Sequence, residues 1–254
     1  MLYLSLRVKA EVRLNTMCTR KISILVVAVA VVGFASAYLL IWSGPDKVVE
    51  PNLNANEEKI ELPDPRRVSD TSIEEALSNR RSIREYSGDP LTLREVSQLL
   101  WAAQGITDPR GLRTAPSAGA LYPLEVYVVA GDVVDLSAGV YKYDPHNHEL
   151  LKVLADDIRA ELAGAALNQA WVEEAAVDIV FTAVYERTTV KYGERGVRYV
   201  HIEAGHAAQN LCLQATAMDL GIVTVGAFHD EQVKEVLNLP DDERPLYIIP
   251  VGKK

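Results

Sequence analysis

The segment Val177–Val184 constrains the fold more than any other part of this 254-residue chain. Its eight residues, VDIVFTAV, are mostly apolar and rich in β-branched side chains, which is typical of a strand buried on both faces of a sheet. The later segment Tyr199–Leu220 is rich in alanine and predicts a long helix that Gly221 ends. A buried strand and a long helix of small residues together predict a layered domain.

Shorter helices and strands are predicted along the rest of the chain, without strict alternation between the two. The predicted strands are 124–130, 140–143, 149–153, 222–225 and 246–251, and further helices are predicted from Thr92 to Gly105, over 156–171 and over 231–237. The predicted class is therefore α+β, with a mostly antiparallel sheet flanked by helices.

The net charge of −9 argues against a nucleic-acid partner.

The distribution of charged residues divides the chain into four predicted parts. Residues 22–42 carry no charge and predict a transmembrane anchor. The predicted parts are a basic segment 1–21, the anchor 22–42, a linker 43–67 and a folded domain 68–254. Basic residues before the anchor and acidic ones after it predict a single-pass membrane protein with an extracytoplasmic domain.

Two alternatives to that N-terminal organisation remain open. Ala35-Ser36-Ala37 has the pattern of small residues found at signal-peptide cleavage sites, so the apolar segment could be removed. Met17 could also be the true start of translation. The membrane orientation depends on which of these applies.

A cluster of arginines is the first candidate binding feature. Ser72-x-x-Glu75 has the pattern of a capping box and predicts a short helix that leads into Arg80. If the chain is extended from there, Arg80, Ser82 and Arg84 share one face. Two guanidiniums and a hydroxyl can bind a phosphate group. The alternative is a solvated basic edge.

A run of small residues is the second candidate feature. Between Ala115 and Pro123 the residues Ser117–Ala120 have almost no side-chain bulk, so their backbone can approach a flat ligand and donate hydrogen bonds to it. The alternative is an ordinary loop before a strand. His146 and His148 lack further ligands at metal spacing, so no metal site is predicted. The chain also has no P-loop and no glycine-rich dinucleotide motif after a strand.

Five stretches, in order, resemble the nitroreductase superfamily, and most closely its SagB-type branch, which includes azoline (thiazole and oxazole) dehydrogenases. They are Arg80–Tyr86, Leu100–Gly105, Arg113–Pro123, Lys191–Arg195 with Arg198-Tyr199 and Gly205-His206 beyond it, and Gly226–Gly252. The resemblance extends from about Ser69 to the C-terminus.

The resemblance implies an FMN-binding homodimer with two flavins at its interface, each contacted by both chains. It implies that Arg80, Arg81, Ser82 and Arg84 hold the flavin phosphate and ribityl group, with Lys253 as a further phosphate ligand. Pro116, Ser117, Ala118 and Gly119 would come from the partner chain to border the isoalloxazine, and Gly226 and Ala227 would offer backbone near its reactive edge.

Lys191-Tyr192 resembles the Lys-Tyr pair that azoline dehydrogenases use near the flavin. A lysine held away from water can act as a base, and a tyrosine can orient or relay the proton. The alternative is a solvated loop lysine and a packing tyrosine. The expected function is that of an FMN-dependent oxidoreductase with hydride transfer through flavin N5.

Two other functions remain open. One is an NAD(P)H-dependent nitro or quinone reductase, and the other is a membrane-tethered flavin-binding module without turnover. The substrate, a small molecule or a modified peptide, is left open, as are the electron donor and acceptor.

Overall fold

The computed structural model describes residues 58–254. The described helices are α1 (Ile73–Asn79), α2 (Leu93–Gln104), α3 (Arg159–Ala165), α4 (Ala170–Glu173), α5 (Glu186–Tyr192), α6 (Arg195–Ala217) and α7 (Asp230–Val236). The described strands are β1 (Lys59–Glu61), β2 (Leu91–Thr92), β3 (Leu124–Ala130), β4 (Val133–Val134), β5 (Gly139–Asp144), β6 (Glu149–Leu154), β7 (Val177–Val184), β8 (Leu220–Ile222) and β9 (Glu243–Lys253).

Seven of these strands form one antiparallel sheet in the order β1-β6-β5-β3-β7-β9-β8. All eight residues of β7 are buried, because β3 and β9 pair with it and both faces of the sheet are covered. The buried strand predicted over Val177–Val184 is therefore confirmed. Strands β2 and β4 form a separate parallel pair.

Side chains alternate between the two faces of the sheet, and each face has its own apolar core. Ile179 and Phe181 belong to the core that includes buried residues of α2 and α6. Val180, between them in sequence, belongs to the core that includes residues of α3 and α7. The predicted α+β class with a mostly antiparallel sheet flanked by helices is confirmed.

The observed helix ends agree with the sequence prediction for α2 but differ from it for α3, α4 and α6. Thr92 caps α2 in a full capping box with Glu95, and the helix ends at Gly105, as predicted. By contrast, the single helix predicted over 156–171 is two short helices, because Leu167 and Asn168 take left-handed backbone angles between them. Helix α6 begins at Arg195, four residues before the predicted start.

The folded unit begins earlier than the predicted boundary at residue 68. Strand β1 lies inside the segment predicted as a linker, and its central Ile60 is in register with Leu150 of β6. The backbone N–H of Leu62 then donates to the carbonyl of His148 at 3.2 Å. The first strand of the sheet therefore precedes the sequence that resembles the family.

The membrane assignment needs correction. Within residues 58–254 no helix is both long and apolar enough to cross a bilayer. The anchor predicted at 22–42, on which the single-pass membrane localisation and the extracytoplasmic domain depended, lies outside the described residues, as do the basic segment 1–21 and most of the linker. No helix of the described residues therefore supports the predicted localisation, and that prediction is not retained.

Candidate active site

The predicted Lys-Tyr pair meets the run of small residues in the folded chain. Lys191 and Tyr192 end helix α5, and a Cβ atom built on Gly119 would lie 2.9 Å from Lys191 Nζ and 2.8 Å from the Tyr192 hydroxyl. The Tyr192 ring packs edge-on against Tyr199 of α6 at 5.2 Å between centroids. A primary amine and a phenol thus lie side by side against the backbone of Gly119.

We call the segment Pro116–Gly119 the ledge. Gly119 has a φ of 67°, a left-handed angle that glycine adopts without steric cost. The Tyr122 N–H donates to Ser117 Oγ at 2.9 Å, and the Ala120 N–H donates to the Ser117 carbonyl at 3.1 Å. These bonds fix the turn, while the absence of large side chains leaves the backbone of the ledge open to a ligand.

A buried polar cluster lies behind the ledge. Glu203 is buried on the inner side of α6, near the Ser117 hydroxyl and the Arg113 guanidinium. One amino group of Arg113 donates to Gln104 Oε1 at 2.9 Å, and its guanidinium lies 4.5 Å from the centre of the Tyr122 ring. Burial raises the pKa of Glu203 to about 7, although Ser117 and Arg113 both lower it.

The arginine segment, Arg80–Arg84, follows helix α1 and runs along the far edge of the sheet. The Ile83 N–H donates to the Ile222 carbonyl of β8 at 2.9 Å, and the Ser87 N–H donates to the Lys253 carbonyl of β9 at 3.1 Å. None of the guanidiniums of this segment forms an ion pair with a carboxylate among residues 58–254. The segment is therefore an unpaired cationic strip on an acidic protein.

The side chains of Arg80 and Arg84 do not share one face, which differs from the prediction. Burial raises the pKa of the Cys212 thiol on α6, and the nearby Arg80 guanidinium opposes that rise. The Arg84 guanidinium instead lies 5.3 Å from the centre of the Trp171 ring, on the side of the sheet where α3 and α7 pack. The backbone of this segment is held by hydrogen bonds to the edge of the sheet and does not form a regular strand. These hydrogen bonds therefore set the directions of the Arg80 and Arg84 side chains.

Tyr86 fixes the end of the arginine segment against two glycines. A Cβ atom on Gly252 would lie 2.7 Å from the Tyr86 ring, and one on Gly221 would lie 3.2 Å from it. Burial holds the pKa of the Tyr86 phenol well above its usual range, and the nearby Asp178 adds to that rise. The ring therefore acts as a neutral anchor in a space that only glycine leaves free.

The remaining predicted residues lie near the same edge of the sheet. The Lys253 ammonium is paired with Glu95, the glutamate of the α2 capping box, at 2.5 Å. Gly226 and Ala227 are exposed in the loop after β8, where the Gln169 side chain donates to the Ala227 carbonyl at 2.9 Å. Gln169 precedes α4, which carries Trp171.

The predicted site residues thus lie in two separate groups within one chain, one at the ledge and one at the arginine segment. The ledge lies near Glu203 of α6, whereas Arg80 lies near Cys212, nine residues later on the same helix. Nine helical residues correspond to about 14 Å along the axis. The structure brings Lys191 and Tyr192 to the ledge and brings Lys253 beside the arginine segment, but it does not join the two groups.

Sequence reasoning missed two parts of this arrangement. Glu203 carried a usable signal, because Val200, Ala204 and Ala207 place it on the apolar side of a predicted helix, where a carboxylate is unexpected. Trp171, which packs with Arg84, carried no signal in the sequence, because its position depends on the fold of the whole sheet. Among residues 58–254, no group of His, Cys, Asp and Glu side chains is arranged to hold a metal ion.

Comparison with known proteins gives one family for most of the chain. Residues 77–253 match the model of the nitroreductase family. A Methanocaldococcus jannaschii protein described as a nitroreductase is 50% identical over 196 residues, which cover 77% of this chain and 96% of that protein. An FMN reductase (NADPH) of Bacillus subtilis is 30% identical, over 70% of this chain and 64% of its own length.

Solved structures agree with that result. A Ralstonia eutropha protein described as a nitroreductase is similar with a TM-score of 0.69 and 34% identity, over 78% of this chain and 90% of that one. The Escherichia coli microcin synthetase complex McbBCD, with truncated pro-MccB17 bound, contains a chain with a TM-score of 0.60 and 25% identity, and the likeness covers 79% of each chain.

Proposed function

Since this chain belongs to the nitroreductase family, we propose that it is an FMN-dependent dehydrogenase of the SagB type, acting as a homodimer on an azoline of a modified peptide. Its relatives include flavin reductases, which supports a flavin oxidoreductase. The proposal of a SagB-type dehydrogenase, and not only a flavin oxidoreductase, depends on one observation. Lys191 Nζ and the Tyr192 hydroxyl both lie against the ledge, where the flavin ring is expected.

The proposed chemistry divides between cofactor and chain. Bound FMN would supply an acceptor for the hydride that leaves the substrate. Dehydrogenation of an azoline must also remove a proton, and the Lys191 amine is the base that we assign to it. Tyr192 lies beside that amine, with Nζ 5.4 Å from the centre of its ring, so its hydroxyl can orient the substrate or pass on the proton.

The arginine segment fits the phosphate end of FMN. Its guanidiniums have no carboxylate partner among the described residues, and Arg81, Ser82 and Arg84 are exposed. A phosphate dianion would give these cations the bidentate partner that they otherwise lack. The Lys253 ammonium is already paired with Glu95, so we assign it a weaker role. Gly226 and Ala227 leave backbone exposed for the ring.

The separation of the two groups within one chain supports the proposed homodimer. If the ledge and the arginine segment contact the same flavin, the simplest arrangement brings the ledge of one chain to the arginine segment of its partner. The surface beside the arginine segment supports this. Ile73 and Leu77, one turn apart on α1, are 57% and 55% exposed, and Ile73 also lines a cavity of about 310 Å³ between α1, α2 and α6. Exposed apolar surface of this kind marks protein interfaces.

A reductase that takes electrons from NADPH is the second candidate, and the similarity to the Bacillus subtilis FMN reductase favours it. The test uses the full chain loaded with FMN, under anaerobic conditions. If an azoline-containing peptide bleaches the flavin spectrum, the dehydrogenase is supported, whereas bleaching by NADPH alone supports the reductase. A flavin that only dithionite reduces would support a binding module without turnover.

We expect Lys191→Met to slow azoline oxidation about 100-fold or more, because general bases contribute about 10²–10⁴-fold. FMN binding should be unchanged. The rates are measured by single-turnover flavin bleaching, with Lys152→Met on β6 as the control, since Lys152 pairs with Glu58 away from the ledge. Unchanged azoline oxidation in Lys191→Met would exclude this lysine as the base.

A further inference from the structure

Arg187 is a charged residue of α5 to which the proposed reaction assigns no role. It lies four residues before Lys191, and residues at this spacing are neighbours on the surface of a helix. One amino group of its guanidinium donates to the Tyr122 carbonyl at 3.2 Å, and the other forms a charged hydrogen bond with Glu125 of β3. A single side chain thus joins the helix that carries the Lys-Tyr pair to the loop that carries the ledge.

Tyr122 is the residue at which the turn after the ledge is held. Its φ of 46° is left-handed, which is uncommon for a residue with a bulky side chain. Its N–H donates to Ser117 Oγ of the ledge at 2.9 Å, and its hydroxyl accepts the Arg113 N–H at 3.1 Å. Such backbone conformations persist only where the surrounding contacts fix them. The bond from Arg187 to the Tyr122 carbonyl is one of these contacts.

Glu125 gives Arg187 a fixed partner, because it belongs to a series of ion pairs across the sheet. The Lys142 ammonium of β5 lies 3.3 Å from the Glu125 carboxylate and 2.8 Å from that of Glu243 on β9. Glu243 is buried and accepts a hydrogen bond from the Thr182 hydroxyl of β7 at 2.5 Å. Satisfied polar networks of this kind are rigid, in contrast to isolated ion pairs on a surface. Arg187 is therefore anchored to the four central strands of the sheet.

The other contacts of α5 attach it to α6. The Tyr185 hydroxyl, just before α5, lies 2.6 Å from His201 Nε2 of α6, and the Tyr192 ring at its end packs on Tyr199 of the same helix. These contacts hold both ends of α5 against α6. The distance from α5 to the loop of the ledge is instead bridged by Arg187.

We propose that Arg187 is a positioning residue that sets the separation between the ledge and the Lys-Tyr pair, by binding the Tyr122 carbonyl and Glu125 with one guanidinium. The inference rests on the proposed function, in which Lys191 takes a proton from the substrate. A guanidinium presents its donors in one rigid plane, whereas the ammonium of a lysine is a point charge on a flexible chain. The planar group is thus suited to hold two acceptors at a fixed distance.

The first test needs no flavin and measures amide hydrogen exchange of the full chain by mass spectrometry. Arg187→Met should speed exchange of the segment 117–122 about 10-fold, because it removes hydrogen bonds to a charged group. The amides of β7 should exchange as in wild type, since β3 and β9 hold that strand. The control Arg110→Met removes an arginine that pairs with Asp108 in an exposed loop, and it should leave both segments unchanged.

The second test is single-turnover bleaching of the FMN-loaded full chain by an azoline-containing peptide. Arg187→Met should slow bleaching about 100-fold, the effect expected when reacting groups are misplaced by about 1 Å. The affinities for FMN and for the peptide should stay as in wild type. A merely structural role would instead speed exchange throughout the chain, β7 included.

Arg187→Lys guards against misfolding of Arg187→Met, because it keeps a cation opposite Glu125 but lacks the planar fork. Its bleaching rate and its exchange over 117–122 should lie between those of wild type and Arg187→Met. Wild-type exchange of this segment in Arg187→Met, or faster exchange with an unchanged bleaching rate, would overturn the inference. A wild-type flavin that the peptide does not bleach would instead overturn the proposed function, so the two failures are distinguishable.

Discussion

At the scale of single residues, Gly119 holds the ledge and the Lys-Tyr pair together. We expect Gly119→Ala to cost about 1–2 kcal/mol of folding free energy, because its φ of 67° is left-handed. Its new Cβ atom would also lie under 3 Å from Lys191 Nζ and the Tyr192 hydroxyl. Displacing the pair by about 1 Å should slow turnover about 100-fold. Urea unfolding and single-turnover flavin bleaching measure the two effects.

The control for this prediction is Gly111→Ala. Gly111 has a φ of 81°, but a Cβ atom there would meet nothing within 4 Å. It should therefore lose a similar amount of stability and keep its rate. If both variants turn over at the wild-type rate, the close approach of Lys191 and Tyr192 to Gly119 has no bearing on catalysis.

At the scale of elements, helix α1 presents its apolar residues to the outside. The spacing of Ile73, Ala76 and Leu77 places them on one side of this helix, and only Ala76 is buried. We expect Leu77→Glu to weaken the proposed homodimer at least 10-fold, because it places a charge within an apolar interface. Light scattering after size exclusion measures the change. Leu167→Glu, at a 50% exposed leucine, is the matched control and should leave the oligomeric state unchanged.

Elements whose signals are local could be predicted from sequence, and those set by distant contacts could not. The apolar run of β7 and the segment from Thr92 to Gly105 predicted their elements correctly, since each signal lies within the segment itself. Strand β1 has no such signal in Lys-Ile-Glu, because it becomes a strand only by pairing with β6. The divergent directions of Arg80 and Arg84 likewise depend on bonds to β8 and β9. The roles of these site residues remain predictions.

At the scale of the whole molecule, the folded chain encloses a carboxyl group at the centre of its sheet. Asp178 of β7 is fully buried, and neither of its oxygens has a hydrogen-bond partner within residues 58–254. Burial holds the pKa of Asp178 well above its usual range, with Arg159 opposing the rise and Asp157 adding to it. The folded state therefore binds a proton that the unfolded chain releases above about pH 4.

This proton makes the stability of the whole fold depend on pH. Because the pKa is raised on folding, the stabilisation is complete below about pH 4 and is lost as the pH rises towards the folded-state pKa, at up to about 1.4 kcal/mol per pH unit. An amide cannot ionise, so Asp178→Asn should gain stability relative to wild type between pH 5 and 8. Urea unfolding measures the difference, with exposed Asp156→Asn as the control. Parallel pH profiles for wild type and Asp178→Asn would mean that Asp178 is ionised inside the sheet, where Arg159 would be the nearest cation able to neutralise it.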